Sequence, residues 1–170
     1  MGLLFQIDTK DYDRNGTVCF RPSVRAIIIE NGKIAMVHSE KYNYYKLPGG
    51  GIEPGESKEE ALVRETLEET GLRIIPESIK EYGYVLRKQK GKQEDVFIQE
   101  NYYYFCQVEK KVNDQSLKGY EAIENFQLEF VNPLEAIKIN RNIDHGPKDK
   151  NMVERDIRVL ELLMKEKLLK

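Results

Sequence analysis

The segment from Pro48 to Leu72 constrains this chain more than any other. A glycine triplet, Gly49 to Gly51, leads into a stretch in which seven of the seventeen residues from Glu53 to Glu69 are Glu. Ser57 stands where a helix N-cap belongs, Glu60 follows three residues on to close a capping box, and Gly71 suits a left-handed stop. The spacing therefore predicts a helix over Ser57 to Thr70. Glu65, Glu68 and Glu69 share one stripe of that helix, because positions three and four apart are neighbours. Leu62, Val63, Thr66, Leu67 and Thr70 take the opposite side and are expected to face a core. Like charges stacked this closely repel by roughly a few tenths of a kcal/mol per exposed pair, and the base nearest the stripe is Arg64.

Two readings of the stripe stand on spacing alone. One is a solvated helix surface beside an ordinary glycine turn. The other is a metal site: carboxylate oxygens are the ligands that Mg²⁺ and Mn²⁺ prefer, and Mg²⁺ commonly joins a few carboxylates to waters and substrate phosphates. On that reading Gly49, Gly50 and Gly51 form the substrate-binding half, since a backbone without side chains lets N–H groups approach an anionic ligand closely. A carboxylate-held metal beside such a loop is a place to hold and hydrolyse a pyrophosphate.

The rest of the chain supplies a scaffold. Its 170 residues are enough for one domain with a core that needs no staples, and the expectation is a single domain over 1–170. With 27 Lys plus Arg against 29 Asp plus Glu, the net charge is −2, without the basic excess of a general nucleic-acid binder. The longest unbroken apolar run is the five residues Tyr102 to Cys106, against about 20 for a bilayer span. Cys19 and Cys106 make no ligand cluster, and no signal peptide is visible at Met1, so the expected location is cytoplasmic.

Val24 to Ile29 and Ile34 to Val37, joined by Asn31-Gly32, read as a hairpin. Further strands are expected at Tyr44 to Leu47, Ile79 to Leu86, Val96 to Val108 and Phe126 to Val131. Asn132-Pro133 opens a short helix with Glu135 closing a capping box. Met152 to Leu169 is a final helix, with Val153, Ile157, Leu160, Met164 and Leu168 at helical spacing. Strands interleaved with helices indicate a mixed α/β sandwich.

The central segment also resembles the Nudix hydrolase family, the MutT-like group whose signature is G-x5-E-x7-R-E-U-x-E-E-x-G-U with U aliphatic. Here it runs Gly50, Glu56, then Arg64-Glu65-Thr66-Leu67-Glu68-Glu69-Thr70-Gly71-Leu72, with Thr66 at the first aliphatic position as the one departure. The resemblance implies an α/β/α sandwich with a mixed, largely antiparallel sheet flanked by helices, across about residues 18 to 169. It also implies a Mg²⁺- or Mn²⁺-dependent pyrophosphohydrolase acting on a nucleoside diphosphate linked to another moiety: a nucleoside triphosphate, a nucleotide sugar or an ADP-ribose-type compound.

Carried over by position, Glu65, Glu68 and Glu69 are the implied metal ligands. Arg64 orients them, Glu56 supports the metal shell, Gly50 and Gly51 form the turn into the motif, and Glu68 or Glu69 takes a proton from the attacking water. Many relatives draw a further acid from outside the motif; Glu121, Glu124 and Glu53 are the candidates. The alternative is a catalytically inactive Nudix-like nucleotide-binding sensor or interaction domain, which the intact Glu65, Glu68 and Glu69 disfavour.

Other features have simpler readings. Tyr42, Tyr44 and Tyr45 precede the glycine loop, where one could stack on a base. In Tyr102-Tyr103-Tyr104, alternation turns either Tyr103 or its two neighbours away from the core. His38 and His145 read as structural. Arg87, Lys88, Lys90 and Lys92 read as a solvated hairpin tip. A homodimer is compatible with an amphipathic C-terminal helix or an edge strand.

Overall fold

Asn31 and Gly32 sit at φ 51° and 75°, which closes the two-residue turn that Asn-Gly favours between antiparallel strands. The computed structural model describes residues 1–170 and builds outward from that hairpin. Its strands are β1 (Leu3–Asp8), β2 (Val18–Phe20), β3 (Ser23–Ile27), β4 (Ile29–Glu30), β5 (Lys33–Ser39) and β6 (Tyr44–Lys46), followed by helix α1 (Lys58–Thr70). Then come β7 (Leu72–Ile74), β8 (Lys80–Lys90), β9 (Val96–Phe105), β10 (Val108–Val112), helix α2 (Tyr120–Ile123), β11 (Phe126–Val131), and helices α3 (Pro133–Asn142) and α4 (Lys150–Lys165).

The largest sheet is mixed. Its order is β1-β8-β9-β2, with β3 also on β9; β8 and β9 run antiparallel, while β1, β2 and β3 each run parallel to their neighbour. A second sheet, β11-β5-β4 with β6 on β5, is antiparallel throughout. The expected hairpin is present but short. Only Ile29 and Glu30 pair with β5, because Val24 to Ile27 leave for the other sheet and pair with Tyr102 to Phe105. The chain changes sheets at Ile28, which is buried. Likewise the long strand expected over Val96 to Val108 breaks after Phe105, and β10 pairs with β7 instead.

Helix α1 begins and ends as its sequence predicts. The Ser57 hydroxyl accepts the Glu60 N–H (3.1 Å), the Glu60 carboxylate accepts the Ser57 N–H (2.8 Å), and Gly71 caps the other end at φ 75°. A Cβ at Gly71 would meet the Asn113 carbonyl oxygen at 1.9 Å, so the position excludes larger residues. Ala61 and Leu62 bury against Val24, Ala26 and Tyr104 on one face of the large sheet and against Ala35 of the second. On the opposite face Ile157, Leu160 and Leu163 of α4 pack against Ile27, Val85 and Tyr103. Tyr103 and Tyr104 are therefore both buried: a sheet covered on both faces has no solvent side for alternate tyrosines to face.

Two helix details differ from the sequence reading. In α3 the Asn132 side chain accepts the Leu134 N–H (2.9 Å), a simple N-cap in place of the box expected with Glu135. Helix α4 stops at Lys165, and Lys167 turns the chain at φ 60°. Leu168 is thereby exposed and Leu169 takes the buried place. No helix is long and apolar enough to cross a membrane.

Between α4 and the large sheet lies a layer of buried charge. Arg155 clamps Asp156 through two bonds (2.8 and 3.1 Å) and donates to Asn101 (3.0 Å) and Gln99 (3.3 Å). Arg87 is 4% exposed, contrary to its reading as part of a solvated tip. It lies on the sheet face beneath α4 and donates to Gln99 (2.9 Å) and Asp149 (3.0 Å). Asp156 in turn accepts the Leu47 N–H (2.9 Å) and the Tyr103 hydroxyl (2.8 Å).

Burial works to raise the Asp156 pKa, but the Arg155 charge and hydrogen bonds, with Arg25 and the Leu47 N–H, outweigh it and hold it at about 2. Folding thus depresses this pKa below its unfolded value of about 3.9. The stabilisation is complete above that value and disappears as pH falls through about 2. In urea titrations at pH 7, Asp156→Asn is expected to lose about 3 kcal/mol, because it leaves Arg155 buried and unpaired. The variant should also show a shallower loss of stability between about pH 4 and pH 2 than the parent.

Candidate functional site

The loop between β6 and α1 is shaped by contacts that only glycine permits. Gly49 lies at φ 136°, and a Cβ there would meet the Val24 carbonyl oxygen at 2.0 Å. At Gly50 a Cβ would fall 2.5 Å from the Glu65 carboxylate. The loop's polar atoms are tied to the fold. Gly49 O accepts from Lys46 Nζ (3.1 Å) and Arg25 Nη1, Gly50 O from the Val24 N–H (2.9 Å), and Gly51 O from Arg64 Nη2 (3.1 Å). The Gly49 N–H donates to Glu69 Oε2 (2.9 Å), so this amide serves a carboxylate of the helix.

Glu69 is the most enclosed of the three stripe residues, 1% exposed. Burial pushes its pKa up, while Lys46 and the Gly49 N–H pull against that shift. Its Oε1 is in direct contact with Lys46 Nζ. Arg64 lies across the outer side of the stripe. It grips both oxygens of Glu56 (2.7 and 2.8 Å), donates to Glu65 (2.8 Å) and stands 3.6 Å from Glu68. The Arg64 bond lowers the Glu56 pKa, and Glu56 raises that of Arg64 in return. Glu68 is partly open to solvent and also pairs with Lys118 (3.3 Å).

The segment that brings Lys118 here is laced to the carbonyls at the end of α1. The Asn113 N–H donates to Gly71 O (2.8 Å), the Ser116 N–H to Glu68 O (2.8 Å), and Gln115 to Glu69 O and Phe126 O. This lacing delivers α2 to the same face, and ligand oxygens of Glu65, Glu69 and Glu121 come within 4.8 Å of one another.

Of the three outside acids, then, Glu121 joins the cluster. Glu124 is turned inward, accepting from Ser39 (2.8 Å), Tyr44 (2.8 Å) and Lys148, and Glu53 is exposed beyond the first turn of α1. Sequence reasoning missed Lys46 and Lys118 as partners of the stripe. Lys46 lies only three residues before Gly49, so its closeness was the available signal; Lys118 had none. Thr66, the departure from the motif, is fully buried and its hydroxyl has no partner.

Two carboxylates of α1, Glu65 and Glu69, and one of α2, Glu121, thus gather beside the glycine loop, and carboxylate oxygens grouped in this way are the ligand type that hard cations take. The NUDIX domain family model matches residues 20–155, and the chain belongs to that family. A candidate 8-oxo-dGTP diphosphatase of Bacillus subtilis is 49% identical over 45 residues, 26% of this chain and 30% of the relative. An RNA pyrophosphohydrolase of Acinetobacter baylyi is 40% identical over 73 residues, 42% and 40% of the two chains. The chain thus spans about a third of the length of the curated relatives it matches. In structure, the MutT protein of Bacillus halodurans superposes with a TM-score of 0.55 over 70% of this chain and 72% of its own, at 20% identity, a likeness of fold.

The glycine geometry separates two adjacent positions. Gly49→Ala forces a side chain against backbone at positive φ and is expected to cost at least about 2 kcal/mol in a denaturant melt. Gly50→Ala meets only the movable end of Glu65 and should cost less than half as much. Thr66→Val removes an unsatisfied buried hydroxyl without changing shape, and the same melt should show a gain of about 1 kcal/mol.

Proposed function

We propose that this chain is a divalent-cation-dependent pyrophosphohydrolase that cleaves the diphosphate of a nucleoside diphosphate linked to another moiety. The observation that carries the reading is the convergence of Glu65, Glu69 and Glu121 beside the Gly49–Gly51 loop. The names of the two relatives above, a diphosphatase and a pyrophosphohydrolase, support it.

The donor set fits Mg²⁺ or Mn²⁺: the clustered ligands are all carboxylate oxygens, with no sulfur or imidazole among them. Glu65, Glu69 and Glu121 would hold the ion, which when bound neutralises pyrophosphate oxygens and makes a coordinated water more acidic. Arg64, fixed by its two bonds to Glu56, keeps Glu65 and Glu68 aimed at the site. Glu68 is the more open of the two candidate bases, and its carboxylate takes the proton of the attacking water. Water adds to one phosphorus, the bridging P–O bond breaks, and the two halves leave as phosphates. The glycine loop keeps the helix close enough for this set to form.

The test is a panel of nucleoside triphosphates, an 8-oxidised triphosphate, 5′-triphosphate RNA, dinucleoside polyphosphates, ADP-ribose and nucleotide sugars, each with Mg²⁺ or EDTA. Phosphate is read with and without added pyrophosphatase or phosphatase. Metal-dependent release from one class is expected, and Glu65→Gln should cut it at least about 10²-fold with the melting temperature preserved. Tight nucleotide binding with no release from any compound would replace the hydrolase reading with that of a sensor.

A further inference from the structure

We infer that Lys46 is a tethered cation standing where the divalent ion acts: it neutralises Glu69 while the site is metal-free, must release Glu69 when metal enters, and so sets the site's metal affinity. This rests on the metal-site reading above and extends it to a residue outside the motif.

The first argument is position. Lys46 ends β6 with its side chain 7% exposed, and its ammonium touches Glu69 Oε1 and Gly49 O (3.1 Å). Both are hard oxygen ligands of the type that Mg²⁺ and Mn²⁺ take. The other Glu69 oxygen is held by the Gly49 N–H. An ion that joins Glu69 to Glu65 and Glu121 therefore competes with Lys46 for the remaining oxygen. Two cations on one buried oxygen repel strongly where little water screens them.

The second argument is that the other bases of the site cannot play this part. Arg64 is fixed by its paired bonds to Glu56. Lys118 is 72% exposed, where an ion pair contributes little. Arg25 donates to Gly49 O and reaches toward Asn101, and it makes no ion pair with Glu69. Lys46 alone is both buried and paired with a member of the carboxylate cluster.

The third argument is that Lys46 has somewhere to go. Its ammonium lies 5.2 Å from the centre of the Phe126 ring, a contact that survives the loss of Glu69, and Gly49 O remains as a pivot. A lysine suits such a part: its charge is compact, on a flexible four-carbon stem, whereas a guanidinium fork would be held in place.

The test uses the full chain with Lys46→Met and Lys46→Gln, Mn²⁺ binding followed by calorimetry or electron paramagnetic resonance at pH 8, and thermal melts with and without saturating Mn²⁺. Both variants should melt lower than wild type without metal, bind Mn²⁺ at least about tenfold more tightly, and recover most of the lost melting temperature when Mn²⁺ is added. An ion pair with a purely structural role predicts the same loss with and without Mn²⁺; that result, or unchanged or weaker binding, overturns the inference while leaving the metal site standing. Wild type that fails to bind Mn²⁺ at millimolar concentration rejects the metal reading and this inference together. Should the variants fail to fold, the lysine Cε signals of wild type decide by NMR. A saturable shift of Lys46 on Mg²⁺ addition supports displacement, and a Lys46 signal that stays fixed while Glu65 or Glu69 signals move overturns it.

Discussion

Everything at this site depends on a glycine loop that is held from behind by buried charge. Arg25 and Lys46 share the Gly49 carbonyl, Glu69 takes the Gly49 N–H, and Asp156 takes the N–H of Leu47 two residues earlier. Charge-assisted bonds of this kind are stronger than neutral ones, and in a low-dielectric interior each becomes costly to leave half-made. The loop is thereby fixed without help from its own side chains, of which it has none. That matters because a Cβ at Gly49 would meet the Val24 backbone, while Gly50 beside it lies against the movable carboxylate of Glu65.

The same logic accounts for polar residues where a core would ordinarily be apolar. Arg155, Asp156, Asn101, Gln99 and Arg87 cover one face of the large sheet beneath α4. Replacing such a network with hydrophobic residues often costs nothing in stability, so stability alone does not explain it. Here the network carries connections that apolar packing lacks: Asp156 reaches the loop, and Arg87 reaches the N-cap Asp149 of α4. Two donors in it, Arg87 Nε and Asn101 Nδ2, have no acceptor within the protein.

What could be read from the sequence was local. Helix α1, with Ser57, Glu60 and Gly71 at its ends, follows from bonds between residues three or four apart, and the Asn31-Gly32 turn follows from backbone sterics. Strand β11 was legible to the residue. Long-range pairing was hidden. Strand β1 runs parallel to β8 and β2 parallel to the start of β9, and neither carries an alternation strong enough to announce itself over three to six residues. The split of Val24 to Ile29 between two sheets leaves no mark, since both destinations want β-branched residues. At the site, the carboxylate stripe and Arg64 were visible as a spacing. Glu121 was one of three candidate acids outside the motif and Lys46 was near in sequence, but only the fold separates Glu121 from Glu53 and Glu124, brings Lys118 to Glu68, and buries Glu69 and Arg87.

The tie between Asp156 and Leu47 spans 109 residues, and this gives the molecule a history as well as a shape. At about 5–20 residues per second on the ribosome, roughly 5–20 s separate the making of the loop from the making of the helix that secures it. During that interval Lys46 and Glu69 can already find each other, for they are only 23 positions apart, but the carbonyls and amides around them are still exchanging with water. A nascent chain at that stage carries every residue of its motif and lacks the enclosure that makes them a site. The loop gains its tie to Asp156 only when the last helix closes over the sheet.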